Sequence, residues 1–197
     1  DDSRGIDEMM KVPLTLRVTI SSGTSVCRTA FSPNGELLAR ATGNGNLLIC
    51  DAKAPEEVLH EVVDAHSETL WNITVLCFSV DSRFLASGAG RTLKVWETTG
   101  GSLNLLHTDE LDVYCAAFSN DGRTLACSSA HGEIILLEVG SWETLQVRTV
   151  HRGAIRTISF TPDGKVLACS GGRAILFLRT SEDDTIVDTI DNIDSEI

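Results

Sequence analysis

Five histidines, six cysteines and a scatter of serines and carboxylates are the residues of this chain with chemistry to offer. A histidine beside a hydroxyl or thiol and an acid activates a nucleophile, and converging His, Cys and carboxylate side chains hold a metal. The spacing supports neither use. His60, His66, His107, His131 and His151 are far apart, without the short intervals that place two ligands on one metal, and no G-x-S-x-G elbow presents a serine. Cys27, Cys50, Cys77, Cys115, Cys127 and Cys169 sit singly inside apolar runs, never as C-x-x-C, and read as buried free thiols. Gly88, Gly90, Gly171 and Gly172 read as turn glycines, since the sequence after them offers no helix N-terminus to cradle a phosphate. No catalytic residue, metal or cofactor is expected.

The chain has 197 residues, 42% of them apolar, enough for one sizeable core or a short repeat array. No apolar run approaches the roughly 18 residues of a membrane span, and the first residues lack the basic-then-apolar order of a secretory signal. An intracellular protein, cytoplasmic or nuclear, is expected, without membrane contact. The lone sequon Asn72-Ile73-Thr74 would matter only in a secreted chain. A net charge of −12 argues against general nucleic-acid binding, which needs a cationic footprint. That charge is unevenly spread: residues 141 to 180 carry +4 and residues 181 to 197 carry −7.

What must position these side chains is a repeat. AFSPNGELLA at Ala30, CFSVDSRFLA at Cys77, AFSNDGRTLA at Ala117 and SFTPDGKVLA at Ser159 place Phe31, Phe78, Phe118 and Phe160 at intervals of 47, 40 and 42 residues. That period suits four-stranded propeller blades. Pro33-Asn34-Gly35, Asn120-Asp121-Gly122 and Pro162-Asp163-Gly164 supply tight turns between short, β-branched, apolar strands. The predicted strands are 26–32, 37–42, 46–50 and 57–63; 73–79, 84–88, 92–97 and 102–107; 113–119, 124–129, 134–138 and 143–149; and 155–161, 166–170 and 174–179. A further β-branched run at about 185–190 offers the fourth blade an outer strand, and Val12–Ile20 reads as an outer strand lacking its own blade.

With four units in register, and LASGAGRTLKVWE ending in Trp96-Glu97, the chain resembles the WD-repeat family of β-propellers over residues 12 to 180. The resemblance implies an all-β fold of four-stranded antiparallel blades, with repeats at about 22–63, 64–107, 108–149 and 150–180. Residues 1–11 form an extension and 181–197 an acidic tail. Four blades are too few for the usual ring, so a partial propeller, whose open ends could self-associate, is expected ahead of pairing with another propeller segment and of closure alone as an unusually small ring.

In this family a His, a Ser or Thr, an Asp and a Trp form a buried structural group. Here blade two keeps His66, Ser87 and Trp96, with Gly90 near the Asp place. Blade four keeps His151, with Cys169 and Leu178 at the Ser and Trp places. Blade three has Asp109 and His131 exchanged between the His and Asp places, and blade one has Ser22, Asn44 and Cys50. Residues six and four before each repeat phenylalanine face the channel entry in proteins of this kind: Ser25 and Cys27, Asn72 and Thr74, Asp112 and Tyr114, Ala154 and Arg156. With Arg152, these are the candidate contacts for protein or peptide partners, acidic ones at the fourth blade. The expected function is a non-enzymatic scaffold or adaptor; the alternatives are a propeller hydrolase or a regulatory segment of a larger multidomain enzyme.

Overall fold

A computed structural model of the chain describes residues 23–66, 72–172, 174–179 and, as backbone alone, 186–191. All of its regular elements are strands. Blade one comprises β1 (Val26–Phe31), β2 (Leu37–Thr42), β3 (Leu47–Asp51) and β4 (Val58–Val62). Blade two comprises β5 (Val75–Phe78), β6 (Phe84–Ala89), β7 (Thr92–Thr99) and β8 (Ser102–Asp109). Blade three comprises β9 (Val113–Phe118), β10 (Thr124–Ser129), β11 (Glu133–Glu138) and β12 (Thr144–Thr149). Blade four comprises β13 (Ile155–Phe160), β14 (Val166–Gly171), β15 (Ala174–Arg179) and β16 (Ile186–Asp191). Each is an antiparallel meander in strand order, and the four sheets are arranged as blades of a β-propeller. The Val12–Ile20 strand, Ser22, and the tail after Asp191 lie outside the described residues.

The a–b hairpins explain why the repeat folds as it does. In every blade a hydroxyl closes the turn: Ser32, Ser79, Ser119 and Thr161 each donate to the Asn or Asp two residues on, Asn34, Asp81, Asp121 and Asp163. The same hydroxyls accept the amides of Leu37, Phe84, Thr124 and Val166, which start the second strands. The Ser119 hydroxyl, followed by the Arg123 amide, holds the Asp121 carboxyl below its ordinary range. Three of these turns put glycine in the left-handed region; blade two puts Ser82 there, at φ 63°, and its hydroxyl accepts the amide of Asn34 in blade one.

Both faces of a blade are apolar, so blades must stack. Three cores result. Ala39, Ala41, Leu47 and Ile49 of blade one meet Phe78, Leu85 and Trp96 of blade two. Phe84, Ala86, Leu93 and Val95 of blade two meet Phe118, Leu125, Cys127 and Leu137 of blade three. Ala126 and Ile134 of blade three meet Ile155, Leu167, Leu176 and Leu178 of blade four. Inner strands touch in the order β1, β5, β9, β13, and no comparable packing joins β13 to β1 among the described residues. Gly88, read from sequence as a turn glycine, lies instead within β6, where an added Cβ would meet Val113 Cγ2 at 2.5 Å; glycine there permits close blade packing. Gly171 likewise closes β14.

The repeat phenylalanines therefore differ in worth. Phe118 is 9% exposed within a core, whereas Phe31 is 65% exposed. Phe118→Ala should cost about 3 kcal/mol in urea unfolding, and Phe31→Ala less than about 1 kcal/mol at low protein concentration. Equal losses would contradict this packing order.

Candidate functional site

Chemistry-capable side chains turn inward. Ser87 is fully buried; its Oγ accepts from Trp96 Nε1 at 2.8 Å and lies 2.8 Å from His66 Nε2. An indole N–H only donates, which leaves the single hydroxyl proton of Ser87 free to serve neutral His66. Burial, with the Lys94 ammonium nearby, pushes the His66 pKa down to about 4. A hydroxyl fixed between two buried rings is out of a substrate's reach. Its work is to fasten β6 and β7 to the segment that leads out of blade one.

The other blades lack this set. His151 accepts the amide of Gly153 at its Nδ1 (3.0 Å) and packs beside Gly171 and Gly172. Cys169 and Leu178, at the Ser and Trp places, pack in the core between blades three and four. In blade three the Asp109 carboxylate is 3.7 Å from His107 Nε2, and the His131 amide donates to Ser129. Blade one has Asn44 accepting from Thr42 Oγ1, Cys50 buried at the Trp place, and Arg40 at the place of Ser87, a substitution the sequence reading passed over. Burial raises the thiols of Cys77 to about 12 and Cys169 to about 11, and raises Cys115 and Cys127 as well. These protonated thiols are poor nucleophiles near neutrality. Among the described residues no three His, Cys, Asp or Glu side chains are grouped to hold a metal.

The exposed candidates gather where the inner strands begin. Backbone and side-chain bonds stitch neighbouring strands there. Arg28 Nε donates to the Thr74 carbonyl at 3.0 Å, Thr74 Oγ1 to the Val113 carbonyl at 3.3 Å, and Ser128 Oγ to the Ile155 carbonyl at 2.9 Å. On this rim Tyr114, 41% exposed, and Arg156 project into solvent, and Arg152 is exposed nearby in sequence. Asn72 is exposed, Asp112 and Ala154 are half-buried, and Thr74 spends its hydroxyl on the stitching. Ser25 is exposed, and its carbonyl accepts the Gly43 amide; Cys27 is half-buried, its carbonyl held by Arg28. Arg28 was missed from sequence. It follows Cys27, and only the packing of β1 on β5 reveals its role.

Four antiparallel meanders stacked around stitched inner strands define a β-propeller. The family described as "WD domain, G-beta repeat" matches residues 57–97, 102–136 and 142–186, and the chain belongs to this WD-repeat family. Each matched window takes the outer strand of one blade and the three inner strands of the next, so the sequence repeat is offset from the blade by one strand. The chain is 26% identical to WD repeat-containing protein 90 of Xenopus tropicalis, over 83% of this chain and 9% of that protein. It is 25% identical to telomerase protein component 1 of Mus musculus, over 82% of this chain and 8% of that one. It is 30% identical to WD repeat-containing protein SL1-17 of Schistosoma mansoni, over 70% of this chain and 44% of that one. The chain thus spans less than a tenth of the first two relatives and under half of the third. No helix among the described residues is long and apolar enough to cross a membrane.

His66 sets a pH dependence. Its folded pKa of about 4 lies below the ordinary 6.5, so between these values the unfolded state binds the proton and stability falls as pH falls. The loss should be on the order of 3 kcal/mol by the lower limit. Urea melts of the wild type and His66→Gln at pH 7 and pH 4.5 check this: the variant is weaker at pH 7 and loses less on acidification.

Proposed function

We propose that this chain is a non-catalytic protein-interaction scaffold that binds partner proteins or peptides through the rim formed by the starts of its inner strands. The observation that carries this reading is the contrast between inward and outward chemistry. His66 and Ser87 are sealed in the core, while Tyr114 and Arg156 stand exposed on a stitched, rigid rim. Tyr and Arg are the residue types that dominate binding energy when a partner buries them. Asn72, Asp112, Arg152 and Ala154 form the neighbouring surface, and Arg152 with Arg156 favours acidic partners at blade four. His66, Ser87, Trp96 and His151 act as structural residues. The place of action proposed is intracellular, cytoplasmic or nuclear.

A second reading has its own support. This chain spans only 9% and 8% of two much longer relatives, which fits a targeting or regulatory segment working for a larger assembly. The rim would be the working surface in both cases.

Tyr114→Ala and Arg156→Glu should each weaken binding of an isolated partner by about tenfold or more while leaving the urea midpoint near that of the wild type. Quantitative capture from cell extract identifies the partners, and titration with the purified one measures the loss. A partner set and affinity unchanged in both variants would overturn the rim reading.

A further inference from the structure

The outer strands carry a repeated device that the stacking of blades does not use. In the β3–β4, β7–β8 and β11–β12 pairings the register slips at the same place, so that Leu59, Leu106 and Leu145 each stand opposite no partner residue. A bulge of this kind re-aims a side chain and breaks up an edge that would otherwise recruit another strand. An edge that only has to refuse pairing is usually blunted by lysine or another charge. Here the bulged residue is leucine in all three blades, 43%, 45% and 57% exposed. Blades one and two repeat more than the leucine. Val58-Leu59-His60 and Leu105-Leu106-His107 hold the same register places, and Val58 and Leu105 are 43% and 49% exposed. The two triplets belong to one surface, because β4 lies against β8 and Leu59 covers the β7–β8 turn, where a Cβ added to Gly101 would meet Leu59 Cδ1 at 2.9 Å. Around this apolar centre the charge has one sign. Glu56, Glu57, Glu61 and Glu110 are exposed, and the sequence has no lysine or arginine between Lys53 and Arg83 or between Lys94 and Arg123. Blade three keeps the bulged leucine but sets Thr144 before it and Arg148 on the same strand.

We propose that the joined outer edges of blades one and two are a docking surface for a basic protein segment that carries aliphatic or aromatic residues between its lysines or arginines. An apolar centre ringed by polar groups is the anatomy of a protein interface. A ring made of carboxylates alone selects a cationic partner and repels an acidic one. The same sign argues against two other occupants. A second copy presenting this edge would bring carboxylates against carboxylates, and an anionic lipid surface would be repelled likewise. In the complex the leucines supply affinity by leaving water, and the carboxylates set the encounter rate and the choice of partner. The surface lies on the outer strands, away from the starts of the inner strands, so it is a second site beside the rim and does not depend on it.

Short random peptides displayed on phage, selected on the whole chain and counterselected on Leu106→Ser, test this. The peptides removed by the counterselection should be net positive and contain leucine, isoleucine or an aromatic residue. The strongest of them, synthesised with a fluorophore, should bind the wild type in an anisotropy titration and bind Leu106→Ser about tenfold or more weakly. The double variant Glu57→Lys, Glu110→Lys should weaken binding similarly at about 0.1 M salt. At about 1 M salt, where the Debye length falls from about 10 Å to about 3 Å, wild type and double variant should converge. Leu106 has no strand partner, so its replacement should keep the urea midpoint of the wild type; if it does not, the double variant, which changes exposed side chains only, takes its place in the counterselection. Selected peptides that are acidic or neutral, a peptide set that is the same on wild type and variants, binding indifferent to salt, or self-association of the chain that Leu106→Ser abolishes would each overturn the proposal. Tyr114→Ala and Arg156→Glu should leave these peptides bound as before; a loss there would move them to the rim and overturn the second site while leaving the rim reading intact.

Discussion

Everything in this fold follows from one constraint: a four-stranded sheet with apolar residues on both faces cannot be stable alone, and its neighbours must be sheets of the same kind. A helix would cover one face, and water would uncover both. Stacking blade on blade satisfies each sheet twice, and it makes stability a sum of blade terms and interface terms. The three cores are the interface terms. The outer strands β4, β8 and β12, which lie far from the axis, expose Val58, Leu59, Leu105, Leu106, Leu145 and Val147. Apolar surface is tolerated there because the outermost strand makes the smallest contribution to the stack.

The same constraint explains what could be read from the sequence and what could not. Period, turn chemistry and the repeat phenylalanines are local or strictly periodic signals, so the blades and nearly every strand boundary were legible; β10 and β15 begin and end where the pattern placed them. Signals that depend on a neighbouring blade were not. Trp142 has a left-handed φ of 60° in the β11–β12 turn, a place that reads as a surface loop. It is nonetheless 6% exposed, edge-on to Phe84 of blade two at 5.1 Å. Thr74 reads as a rim residue in sequence and Arg28 does not stand out there, and the bond from Arg28 to the Thr74 carbonyl exists only because β1 packs on β5. Gly88 was misread for the same reason, since the demand for its missing Cβ comes from Val113 in the next blade.

The uneven survival of the polar group has a physical logic. A buried His, Ser and Trp set stabilises only when every member is satisfied, because a half-satisfied network leaves a buried polar atom without a partner. Blade two keeps all three members in contact. Blade four has replaced the serine and tryptophan together, with Cys169 and Leu178, and so leaves no orphaned indole or hydroxyl. Blade three has done likewise with Cys127 and Leu137. Blade one breaks the rule by placing Arg40 at the serine position, and its Nε is buried without an acceptor.

That exception falls on the backward face of blade one, whose Leu38 and Cys50 join none of the three cores formed among the described residues. A guanidinium is poorly placed inside an aliphatic stack, where desolvation would cost several kcal/mol without a carboxylate to offset it. At the three internal interfaces the corresponding residues are Ser87, Cys127 and Cys169, all small and uncharged. Those faces carry residues that match the apolar side of a neighbouring blade, and the backward face of blade one carries a charge instead. Arg40 is nonetheless only 7% exposed and Leu38 and Cys50 on the same face are buried, so what shields this face differs in kind from the apolar blade-to-blade cores.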